Sequence, residues 1–164
     1  MRSLLLSAIL LLGGAGAVTA SADAAPESPV TALAGVHLHK EASNQCLVAR
    51  VGPGERPVEQ TPCAGFSDQD WDFFQVTHNG EVVNQIHNID RNLCLVTRGT
   101  GETPAVVTTC NGGFADQLWR AFLFSDGTWR FQNVNSGLCL VARGTSQATQ
   151  TTCAGFTDQF WFLD

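Results

Sequence analysis

The 164-residue chain has the length of a single domain, with 44% hydrophobic residues, six cysteines and no tyrosine. Its formal net charge is −6, from nine basic and fifteen acidic residues. That sign argues against nucleic acid or an anionic membrane as the main partner, since both require a basic footprint.

The chain opens on a secretory pattern. Arg2 supplies a positive n-region, Leu4 to Leu12 an apolar h-region, and Gly13 to Ala25 a run of small residues with Ala20-Ser21-Ala22 and Ala22-Asp23-Ala24 as cleavage sites. The expectation is a signal peptide over residues 1–22, cut between 20 and 25, and a disordered Ala/Pro-rich lead-in over 23–33. The apolar run is short of the roughly 20 residues that span a bilayer. The mature chain is therefore expected to be secreted, extracellular and not inserted in a membrane. An even number of cysteines behind such a leader reads as a disulfide framework.

From Ala34 onward the sequence states one unit three times, over residues 34–81, 82–127 and 128–164. Cys46-Leu47-Val48-Ala49-Arg50 returns as Cys94-Leu95-Val96-Thr97-Arg98 and Cys139-Leu140-Val141-Ala142-Arg143. A second cysteine follows 17, 16 and 14 residues later, which selects the pairing Cys46–Cys63, Cys94–Cys110 and Cys139–Cys153. No C-x-x-C spacing favours zinc instead. Each unit closes on a shared ending: Gly65-Phe66-Ser67-Asp68-Gln69-Asp70-Trp71, Gly113-Phe114-Ala115-Asp116-Gln117-Leu118-Trp119 and Gly155-Phe156-Thr157-Asp158-Gln159-Phe160-Trp161.

Within a unit the pattern is β. Alternation is clear at Val36-His37-Leu38-His39 and Leu47-Val48-Ala49-Arg50. Asn79-Gly80 and Asp126-Gly127 read as two-residue hairpin turns joining one unit to the next. Four short strands per unit predict an all-β fold of about twelve strands. No distinct capping repeats are visible, so closure into a ring is expected rather than an open stack.

These residues resemble the ricin B-chain-type lectin domain, a β-trefoil with Q-x-W repeats, in a small secreted form. The resemblance implies structural roles for Gln69, Trp71, Gln117, Trp119, Gln159 and Trp161, with the tryptophans in the core. It implies carbohydrate binding, usually of galactose-type sugars, in up to one shallow pocket per unit, with a glycan or glycoprotein as partner. The residues offer no catalytic motif, no cofactor site and no metal-ligand set, so no enzyme, cofactor or metal is expected, and a monomer is expected.

The sequence departs from that family at its pocket. Where the family has an acidic residue two after the first cysteine stand Val48, Val96 and Val141, and where it often has an aromatic stand Thr61, Thr108 and Thr151. Strand alternation puts each valine on the face of Arg50, Arg98 or Arg143. Two readings stay open. Arg50, Asp68, Arg98, Asp116, Arg143 and Asp158 bind a changed ligand, or they form ion pairs that pin strands. The apolar valine floor also motivates an alternative, a protein-binding or protease-inhibitor-like trefoil whose partner is a secreted protein. His37 and His39 share a strand face but lack a third metal ligand, and His78 and His87 lack a nucleophile. Asp70 reads as a solvent-facing variant, and Phe66, Phe114 and Phe156 as packing beneath their loops.

Overall fold

The computed structural model describes residues 32–164 apart from 41, 42, 51, 53 and 144–146. The signal peptide and most of the lead-in expected from sequence lie outside the described residues. Among the described residues there are twelve strands. Repeat one holds β1 (Val36–Lys40), β2 (Gln45–Ala49), β3 (Arg56–Pro62) and β4 (Asp70–His78). Repeat two holds β5 (Glu81–Asn88), β6 (Leu93–Thr97), β7 (Ala105–Thr109) and β8 (Leu118–Leu123). Repeat three holds β9 (Trp129–Asn133), β10 (Cys139–Ala142), β11 (Ala148–Thr151) and β12 (Trp161–Leu163). One 3-10 turn precedes the last strand of each: Ser67–Gln69, Ala115–Gln117 and Thr157–Gln159.

The first and last strands of the repeats close a ring. β1 pairs with β4, β4 with β5, β5 with β8, β8 with β9, β9 with β12, and β12 with β1, all antiparallel. A six-stranded barrel results, and closure removes the sheet edges that an open array would expose. The middle strands form three hairpins, β2–β3, β6–β7 and β10–β11. The hairpins meet one another through β3–β7 pairing and the bridges Glu59 to Gln147 and Pro104 to Thr149. This is the β-trefoil arrangement.

Alternation along the strands fills the core. Leu38, Ile86 and Phe131 from the opening strands, Leu47, Leu95 and Leu140 from the hairpins, and Trp71, Trp119 and Trp161 from the closing strands lie in one buried cluster. Each tryptophan keeps its indole N–H satisfied by the carbonyl of the leucine in its own repeat: Leu47 and Leu95 at 3.0 Å, Leu140 at 3.5 Å. The disulfides join Cys46 to Cys63, Cys94 to Cys110 and Cys139 to Cys153, one per repeat.

Two local expectations are corrected. Asn79 and Gly80 both take positive φ, as a two-residue turn requires. The second connection is longer: Phe124 N–H donates to Thr128 O, and only Gly127 takes positive φ. Asp126 instead accepts from the Thr128 amide and hydroxyl at 2.9 and 2.7 Å, so it stabilises the loop through its side chain. Leu33, assigned to the lead-in by sequence, is docked: its carbonyl accepts from Phe73 N–H at 2.7 Å and its side chain packs on the core.

Candidate functional site

Each repeat builds the same loop between its second cysteine and its last strand. The Q-x-W glutamine organises it. The Gln69 side-chain carbonyl accepts from Ala64 N–H, Gln117 from Asn111 N–H and Gln159 from Ala154 N–H, each at 2.7 Å. The amide ends donate back to Pro62, Thr109 and Thr152 carbonyls at 3.1, 3.0 and 2.8 Å. All three glutamines are buried, so both ends need partners. A second clamp comes from the opening strand of the next repeat. Asn88 donates to Asp68 O at 2.9 Å and Asn133 to Asp116 O at 2.8 Å.

The loops present two side chains that the sequence reading treated differently. Phe66, Phe114 and Phe156 are 67%, 56% and 64% exposed. They do not pack beneath their loops, which corrects that expectation. Each occupies the position that begins a 3-10 turn, with extended backbone, directly after a glycine-containing bend. The signal available in the sequence was the recurrence of a large apolar residue inside a Gly-rich loop with no alternation to bury it. Two residues on, Asp68, Asp116 and Asp158 lie partly covered, each with a buried Oδ1 that no hydrogen bond reaches.

The valines do not line a pocket. Val48, Val96 and Val141 are 1%, 0% and 0% exposed. They lie on the strand face opposite the main core, where β2, β6 and β10 pack against the 3-10 turns. The apolar floor that motivated a protein-binding reading is therefore covered.

The arginines separate the repeats. Arg98 donates to Asp116 Oδ2 at 3.1 Å and Arg143 to Asp158 Oδ2 at 2.6 Å. Each is also held from the preceding repeat, Arg98 by Glu55 and Arg143 by Glu102, the latter at 3.2 Å. These bonds raise both guanidinium pKa values, Glu55 contributing most at Arg98 and Asp158 most at Arg143. Arg50 departs from the expected pairing: it bonds Glu59 at 3.0 Å rather than Asp68. The three hairpins share one register, and the reason is the side chain at a single position of it. Glu59 faces Val48 across the hairpin, whereas Val106 faces Val96 and Thr149 faces Val141. Glu55 and Glu102 were not legible beforehand, because their contacts bridge 43 and 41 residues across a repeat boundary.

Other singled-out residues are satisfied structurally. His37 Nε2 contacts Asp70 Oδ1 at 2.9 Å, so Asp70 has a partner rather than facing solvent alone. His39 lies 3.9 Å from Asp164, so the two histidines meet separate carboxylates. His87, Cys94 and Cys110 cluster closely, but both sulfurs are committed to the disulfide. His78 lies at the end of β4 opposite Glu81.

A family model for the ricin-type β-trefoil lectin domain matches residues 82–164, half of the chain. No curated protein matches it. Among solved structures, the chain is similar to the designed 3-fold symmetric protein ThreeFoil, at 19% identity and a TM-score of 0.69 over 78% of this chain and 96% of that one. It is also similar to the hemolytic lectin CEL-III, at 23% identity and a TM-score of 0.59 over 80% of this chain and 32% of that one. An exo-β-1,3-galactanase from Clostridium thermocellum matches at 20% identity and a TM-score of 0.69, over 82% of this chain and 30% of that one. At these identities the structural likeness carries the fold alone. The family match adds what the fold cannot, and with it the chain belongs to the ricin-type β-trefoil lectin domain family.

Proposed function

We propose that this protein is a secreted, non-catalytic glycan-binding module that contacts sugar through its Phe-x-Asp loops rather than through the family's usual acidic position. The observation that carries this reading is the threefold recurrence of an exposed phenylalanine two residues before a partly exposed aspartate. An aromatic face covers the apolar C–H face of a pyranose, and a carboxylate accepts its hydroxyl protons in short, charge-assisted bonds. Family membership supports carbohydrate as the ligand class and a binding rather than a catalytic role. Three disulfides suit an oxidising, extracellular compartment.

The test is a glycan array probed with the oxidised chain. Binding to at least one of galactose-, N-acetylgalactosamine-, mannose- or xylose-terminated oligosaccharides is expected. Combined Asp68→Ala, Asp116→Ala and Asp158→Ala should abolish it. An array that stays dark across all four classes sinks the reading.

A further inference from the structure

The three loops share one backbone plan but differ in the charge around their aspartates. In repeat three, Asp158 holds Arg143 and also feels Lys40, which stands where the other repeats place Asn88 and Asn133. Lys40 is buried, and burial lowers its pKa, opposed by the charge of Asp158. In repeat two, Asp116 holds Arg98 and receives a neutral clamp from Asn133. In repeat one, Arg50 is turned away by Glu59, and the backbone clamp is the neutral Asn88. No hydrogen bond or ion pair reaches the Asp68 carboxylate among the described residues. Ion pairs to the aspartate thus number none in repeat one and one each in repeats two and three, with Lys40 a further cationic side chain near Asp158.

The arginines of repeats two and three are also held from behind. Glu55 extends from the β2–β3 connection to Arg98, and Glu102 from the β6–β7 connection to Arg143. The matching connection of repeat three, residues 143–147, contains no acidic residue and so has no carboxylate to offer Arg50. A ligand hydroxyl approaching Asp116 or Asp158 must displace a guanidinium that two carboxylates hold. At Asp68 it meets a carboxylate with nothing to displace, beside Phe66, the most exposed of the three phenylalanines.

We infer that the repeats are unequal: Phe66 and Asp68 of repeat one form the open site for a polyhydroxylated ligand, and the Glu55–Arg98–Asp116 and Glu102–Arg143–Asp158 triads hold the other two closed. This rests on the glycan-binding reading and says where on the molecule it acts. The experiment compares single variants of the full oxidised chain on the same array. Phe66→Ala and Asp68→Asn should each lower binding at least about tenfold, the loss of one hydrogen bond to a charged group or its equivalent. Phe114→Ala and Phe156→Ala should change it less than about twofold. All four positions lie at the surface, and thermal unfolding of each variant checks that it is folded. Native mass spectrometry with the brightest array oligosaccharide should count one ligand per chain, and Arg98→Ala should raise the count to two by releasing Asp116. If wild type binds but the Phe114 or Phe156 variant loses as much as the Phe66 variant, or if wild type takes up three ligands, the inequality is overturned and glycan binding stands. If wild type binds nothing, glycan binding itself fails.

Discussion

The Q-x-W glutamine links a loop to a strand because a primary amide both donates and accepts. Gln117 spends its carbonyl on Asn111 N–H and its NH2 on Thr109 O, while remaining 2% exposed. Gln117→Leu keeps the volume and removes both bonds, along with the one its carbonyl accepts from Gln85 at 3.4 Å, leaving a loop amide and a strand carbonyl with poor access to water. The expected loss is about 2–3 kcal/mol, larger than a hydrogen bond's net value because its partners stay unsatisfied. Urea unfolding measures it, and a loss below about 0.5 kcal/mol would show that water replaces the side chain. The glutamine's role was legible in the sequence because a motif repeated three times in register implies a shared task. The orientation of Phe66, Phe114 and Phe156 was not. Burial statistics favour an inward phenylalanine, and nothing in a short non-alternating loop says which side of the chain faces water.

At the scale of strands and hairpins, the side chain at one shared register position decided the partner of Arg50. The sequence placed Val48 and Arg50 on one strand face, but the partner of Arg50 depended on which residue of β3 stands beside it, and that residue is Glu59. Pairing registers follow from turn length, which sequence specifies only where a signal as strong as Asn79-Gly80 is present. The Asp126-Gly127 connection resembles it in composition but closes a longer loop. Strand β5 carries its own consequence at His87. The ring is half-buried, 4.5 Å from the Phe74 ring, with Nε2 3.0 Å from Gln85 Oε1 and Nδ1 3.5 Å from Cys110 Sγ. Burial lowers its pKa from 6.5, outweighing the opposing hydrogen bond with Asn92 and the charge of Asp72. The unfolded chain then binds a proton at His87 more readily than the folded one. The stabilisation is complete above pH 6.5 and is lost as pH falls towards the depressed folded value. Urea midpoints between about pH 7 and about pH 5 should therefore fall more for wild type than for His87→Gln. Parallel curves would show that other groups account for the whole acid response.

Over the whole molecule, closure makes the repeats interdependent. The threefold count, the disulfide pairing and the ring were legible because they are properties of repetition. The ties between repeats were not, since each joins residues far apart in sequence across a repeat boundary. Gln150 on β11 is the densest of them. It is fully buried, and its NH2 reaches the carbonyl of Gly101 and the hydroxyl of Thr103, each at 2.9 Å. Its carbonyl accepts from Thr97 Oγ1 at 2.8 Å and Ser136 Oγ at 2.6 Å. A residue of repeat three thus fixes the repeat-two connection that carries Glu102, which in turn holds Arg143 of repeat three. Gln150→Leu would leave three hydroxyls and a carbonyl without this partner in a site closed to solvent, at an expected cost of about 3 kcal/mol. Because the barrel is one ring, the loss should appear as a single unfolding transition shifted to lower urea, not as melting of repeat three alone. Amide exchange adds a local signature. The Gln150 N–H donates to Thr103 O at 2.9 Å, so protection there should fall below the global limit when the 101–103 connection loosens. Two separated transitions, with repeats one and two unaffected, would mean that the repeats behave as neighbours in a stack and that ring closure contributes little to their coupling.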